Sequence, residues 1–148
     1  MPAFKSLDDV AKFLQPKINK ALTKEVAQKV KEVEQKNIQT TVYDAYKPKM
    51  YIRRLEDGGL IDERNMVSTL LDDGLLGVRN VTPPNPNYIH DALTSDSIDE
   101  AVELGKEYDF YNPGPRPFTK NTAQELRNSK EHVEAMRVGL KNQGLDVV

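Results

Sequence analysis

INKALTKEVAQKVKEVEQKNIQTTVYDAY, residues 18–46, is the stretch whose reading decides the fold. Ile18, Leu22, Val26, Val30, Val33, Ile38, Val42 and Tyr46 recur at spacings of mostly four, while Lys20, Lys24, Lys29, Lys31 and Lys36 fill the other faces. At about 3.6 residues per turn this pattern gathers the apolar side chains into one stripe, so a long amphipathic helix is expected over 17–46. Pro48 ends it, because the proline ring disfavours helical geometry in Lys47. Upstream, Ser6 with Asp9 three residues on is a helix start, the hydroxyl capping a free amide and the carboxylate facing the positive helix end. That first helix is expected to stop near Gln15, since Pro16 has no amide hydrogen to donate and either kinks the helix or sits in the first turn of a new one; residues 1–16 read as an arm or a short helix.

Working outward, Met66, Val67, Leu70 and Leu71 precede Asp72-Asp73-Gly74, and Leu75 to Val81 follow. Asp-Gly between apolar runs predicts a β-hairpin over 64–82, because glycine takes the positive backbone angle of a tight reversal. The prolines of TPPNPN, Thr82 to Asn87, lack the donors a ladder needs and end it. Ser97 or Asp96 can cap a short helix over 97–107, running through Ile98, Ala101, Val102 and Leu104 and closing at Gly105 or soon after. NPGPRPF, Asn112 to Phe118, is a rigid turn. Thr122 with Glu125 forms a capping-box pattern, and Ala123, Leu126, Val133, Met136 and Leu140 trace a closing helix over 120–143. The expected class is α+β: an N-terminal and a C-terminal helix packed on a small antiparallel sheet, in a single domain spanning 1–148.

Composition narrows the function. The 148 residues carry 21 basic and 23 acidic side chains, a formal charge of -2, so no overall pull toward nucleic acid or anionic membrane exists. A hydrophobic share of 38% beside a charged share of 30% suggests an elongated subunit or one completed by neighbours. The absence of cysteine removes disulfide and thiolate chemistry. No apolar run approaches the roughly 18 residues a membrane span needs, and cytoplasmic synthesis without membrane association is expected.

Candidate chemistry is thin. His90 and His132 have no second histidine at a ligand spacing, and His90-Asp91 with Asp96 and Asp99 does not match a calcium loop. Asp72-Asp73 reads as turn chemistry, and Ser68, Ser95, Ser97 and Ser129 lack a glycine-flanked elbow. No catalytic residue, metal or cofactor is expected.

The segment Tyr43 to Asp62, YDAYKPKMYIRRLEDGGLID, gathers tyrosines and basic residues around Pro48 and Gly58-Gly59. Tyrosine and arginine are favoured anchors of buried interfaces, so Tyr46, Tyr51, Arg53 and Arg54 read as partner-binding residues. Single-stranded nucleic acid is the competing reading, with Lys47, Lys49, Arg53 and Arg54 on phosphates and the tyrosines stacking on bases. A small binding protein that targets a host factor through the same face is a further alternative.

YKPKMYIRR followed by GGL and an aspartate, the TPPNP turn after a strand, and PGPRPF leading into a terminal helix together resemble the head-tail joining and tail-completion (neck) minor structural proteins of long-tailed bacteriophages. The resemblance runs from about Ile18 onward and is weakest over the first sixteen residues and Asp91 to Tyr111. It implies a non-enzymatic virion protein acting as a homo-oligomeric ring, a hexamer among the options. Tyr46 to Arg54 and the turn at Arg116-Pro117-Phe118 would meet neighbouring subunits or other neck and tail proteins, with DNA passing through the channel without sequence recognition. Arg116 and Phe118 join the partner-binding set on that ground.

Overall fold

The computed structural model describes residues 2–45, 47–48, 52–85, 97–105 and 114–148. Helical structure runs from Leu7 to Tyr43 as α1 (Leu7–Ala21), a π-helical turn (Leu22–Val26), α2 (Ala27–Ile38) and a second π-helical turn (Gln39–Tyr43). A 3-10 turn (Glu63–Asn65) leads into β1 (Met66–Leu70) and β2 (Leu76–Asn80), followed by α3 (Asp99–Leu104), α4 (Phe118–Ser129) and α5 (Glu131–Lys141). The class is α+β, as the apolar patterning predicts. Tertiary contacts gather in two compact units: Met1–Lys29 with Ser68–Gly77 and Lys130–Val148, and Val30–Val67 with Val78–Ser129.

The amino-terminal helix begins where expected, with Ser6 Oγ accepting from the Asp9 amide at 3.2 Å and Asp9 Oδ2 accepting from the Lys5 amide at 3.3 Å. Pro16 does not end it. The proline lies inside α1, and its missing N–H costs the one ladder bond to Lys12 rather than the helix. The expected break after Gln15 is therefore absent, and residues 7–16 are helix. Successive spacings of four drift by about 40° per step on an ideal α-helix, so a stripe such as Ile18, Leu22, Val26 and Val30 would spiral away from its partner. The longer i→i+5 bonding of a π turn takes up such drift. In each π turn a threonine hydroxyl donates to the carbonyl four residues back, Thr23 to Asn19 at 2.9 Å and Thr40 to Lys36 at 3.1 Å.

In the first unit α5 packs closely on α1 and the first π turn. A Cβ at Gly139 would lie 2.7 Å from Ala21 Cβ and 2.8 Å from Glu25 Oε2, so only glycine admits this approach. Lys17 Nζ donates to the Gln143 carbonyl at 2.9 Å, and Gln143 Nε2 returns a bond to the Lys17 carbonyl at 2.8 Å.

The second unit holds a hydrophobic core of Ile38, Val42, Tyr43, Leu60, Met66, Val102 and Phe118, flanked by Ile61, Val78 and Ile98. α3 ends at Gly105, which takes φ +65° and passes so close to Gly114 and Pro115 that a side chain would collide with backbone. The closing helix differs from expectation. It starts at Phe118, two residues early, and Lys130 at φ +60° divides it into α4 and α5. Thr122 is not its cap; its hydroxyl donates to the Phe118 carbonyl inside the helix, and Glu125 instead accepts from Lys36 Nζ and Asn37 Nδ2. The first amides of α4, Thr119 and Lys120, donate to the Glu103 carboxylate at 2.9 and 3.1 Å.

Candidate interface and the residues that shape it

The hairpin turns where Asp-Gly placed it. Leu71 N donates to Leu75 O at 2.8 Å, Gly74 N to Leu71 O at 2.9 Å, and Gly74 takes φ +79°. Asp73 Oδ1 accepts from the Leu75 amide at 3.2 Å, so this aspartate is turn chemistry, as its sequence context indicates. With Val81 N donating to Asn65 O, the antiparallel register sets Leu70 opposite Leu76 and Met66 opposite Asn80. Side chains alternate faces along such a ladder, and both strands turn Met66, Ser68, Leu70, Leu76, Val78 and Asn80 inward. At the tip, Leu71 and Leu75 face solvent, 50% and 60% exposed. Among the described residues the sheet has two strands, so β1 and β2 each have one edge with no strand beside it. Apolar side chains next to open backbone edges are a template for pairing with another chain.

The tyrosine and arginine segment behaves otherwise. Arg53 and Arg54 are half-buried and serve their own chain. Arg53 Nη1 donates to the Tyr43 carbonyl at 2.8 Å, Nη2 to the Val42 carbonyl at 3.4 Å, and the guanidinium lies 4.9 Å over the Tyr43 ring. This places a cation on the free carbonyls where the helical run ends, a favourable end for positive charge. Arg54 Nη2 donates to the Pro83 carbonyl at 2.5 Å. Both guanidinium groups thus have backbone partners in this chain. Lys47 is exposed; Tyr46, Lys49 and Tyr51 lie outside the described residues, as does His90.

The residues after Arg54 form a knot of their own. Gly58 takes φ +82°, and a Cβ on Gly59 would lie 2.4 Å from the Leu55 carbonyl oxygen. Asp62, buried, accepts from the Gly58 amide at 2.7 Å, the Arg64 amide at 2.9 Å and Arg64 Nη2 at 2.6 Å. The Arg64 hydrogen bond leads in holding its carboxyl below the ordinary carboxylate range. Gln35 Nε2 donates to the Ile61 carbonyl, and the Tyr43 hydroxyl accepts from the Ile61 amide.

Phe118 is completely buried, one of the largest side chains of the second core, and offers no surface to a partner in this fold. Three prolines around an arginine concealed that role, because a turn of this kind reads as exposed. Arg116 is half-buried; its amide donates to the Val102 carbonyl, and its Nε is buried without a hydrogen-bond acceptor. His132 is half-buried on α5, in keeping with a partly packed histidine. Among the described residues no group of three or more acidic or histidine side chains is placed to hold a metal ion. A shallow depression of about 560 Å³ on α4 is lined by Asn121, Gln124, Glu125, Asn128 and Ser129, and its one carboxylate is already paired with Lys36 at 2.5 Å. Among the described residues no helix is long and apolar enough to cross a membrane.

A family model described as YomN matches residues 6–142. The chain belongs to the YomN family. The match takes in the hairpin and the helices α1 to α5. The YomN family marks the chain as a phage-related protein, in agreement with the broader part of the resemblance in its sequence. No curated protein and no solved structure matches the chain.

Leu71 and Leu75, the most accessible apolar pair of the hairpin, are absent from the expected partner-binding set. A signal exists in the sequence. Leu70-Leu71 and Leu75-Leu76 put leucine on both faces at the tip, and only one face of a two-stranded sheet can turn inward.

Proposed function

We propose that this phage-related protein is a structural component of the neck or tail end of the virion, working in tail completion or head-tail joining without chemistry of its own. The reading rests on one observation, the apolar hairpin tip at Leu71 and Leu75 beside open strand edges. Subunits stacking these hairpins edge to edge form a homo-oligomeric ring, and a repeated contact of one surface with a different surface on the next copy closes such rings. A net charge of -2 suits a channel through which DNA slides, since a strongly basic lining would hold the phosphates. Other neck and tail proteins then meet the faces that the ring leaves open.

Purified virions decide the matter. The protein is expected in them, and particles carrying the double variant Leu71→Asp, Leu75→Asp are expected to accumulate as separate heads and tails while the isolated variant melts at the wild-type temperature. Absence of the protein from virions, or normal particle assembly by the double variant, overturns the proposal.

A further inference from the structure

Glu34 is a buried carboxylate of the second unit. It projects from the apolar side of α2, 4% exposed, one turn before Ile38. Its hydrogen-bond donor is Asn80 Nδ2 at 3.3 Å, which also donates to the Leu60 carbonyl at 2.8 Å. Asn80 is the last residue of β2, and its Oδ1 accepts from the Thr82 amide at 3.2 Å and from the Thr82 hydroxyl at 2.5 Å. The Thr82 hydroxyl reaches the Gly59 carbonyl as well, at 3.3 Å. Three segments, α2, the exit of β2 and the Gly59-Leu60 loop, are therefore fastened at one buried point.

The charges around that point oppose a second negative one. Among the described residues Asp99 and Glu103 of α3 are the charged groups acting on Glu34, and both are acidic. Arg79 of β2 lies 3.8 Å from Asp99, while on α2 itself Lys31 pairs with Glu63 and Lys36 with Glu125. Burial, first, and then Asp99 and Glu103 push the Glu34 carboxyl up to about 7 against the opposing pull of the Asn80 hydrogen bond.

We infer that Glu34 is a proton-operated latch: with its proton it closes the junction of α2, β2 and the Gly59-Leu60 loop, and on losing it the exit of β2 at Asn80 and Thr82 comes loose. The inference concerns control of the fold and stands apart from the proposed role in assembly. A buried carboxylate is relieved by letting water in, and because the anion holds the Asn80 amide more tightly, the bonds that open are those of Asn80 to Leu60 and Thr82.

The Glu34 carboxyl carbon, followed by NMR in the whole chain, is expected to titrate near neutrality; a midpoint below pH 6 overturns the latch. Amide exchange of Thr82, corrected for intrinsic rates, gives the second readout. Its opening constant is expected to rise at least ~10-fold from pH 5.5 to 8 in the wild type and to stay level in Glu34→Gln. A variant keeping the wild-type rise overturns the inference, and should the variant fail to fold, the carboxyl titration still decides.

Discussion

Gly139 carries no side chain because α1 leaves no room for one. Its would-be Cβ meets Ala21 Cβ, Ala21 Cα and the Glu25 carboxylate, and two of those atoms belong to a helix that must shift as a body. Gly139→Ala gains helix propensity and loses packing, and overpacking wins: a loss of about 1–3 kcal/mol is expected, read as a lowered denaturant midpoint. The same scale explains the arginines. Arg53 and Arg54 are the residue types that anchor interfaces, yet each guanidinium finds a backbone carbonyl in its own chain. Residue type marks where a strong donor sits, whereas the choice between partner and self is made by which carbonyls the fold leaves unpaired.

At the scale of elements, the start of α4 depends on a residue of another helix. Thr119 and Lys120 have no capping side chain of their own sequence neighbourhood, and Glu103 of α3 supplies both acceptors. Glu103→Ala is expected to cost about 1 kcal/mol and to speed amide exchange at Thr119 and Lys120 while leaving that of α5 unchanged. The long helix, the hairpin turn and the short helix ending at Gly105 were legible because their signals are local: apolar periodicity, Asp-Gly, a glycine at a helix end. The survival of the helix through Pro16 and the division at Lys130 were not. No glycine or proline lies near Lys130, and a lysine seldom takes the left-handed conformation it has here.

For the molecule as a whole, buried and paired carboxylates set opposite limits on pH. Asp62, through Arg64, and Glu125, through Lys36 and then Asn37, are held below the ordinary carboxylate range, so the stability they add is present above that range and lost as acid protonates them. Glu34 works in the other direction. The folded chain keeps its proton up to about 7 whereas the unfolded chain releases it near 4.5, so stability falls as pH rises through that window, by about 3 kcal/mol, and then levels. The melting temperature is therefore expected to be highest near pH 5, lower at pH 3 and lower again at pH 8, and Glu34→Gln is expected to remove the neutral-side decline alone. The sequence by itself determined the α+β class, the helical stripe and the reversal at Gly74, because backbone geometry and side-chain periodicity act over a few residues. Only the tertiary structure decided that Phe118 is core, that Arg53 and Arg54 bond to backbone carbonyls of their own chain, that contacts gather in two units and that Glu34 is buried against Asn80. Burial and electrostatic environment depend on what arrives from distant parts of the chain, and no local pattern encodes which groups will meet.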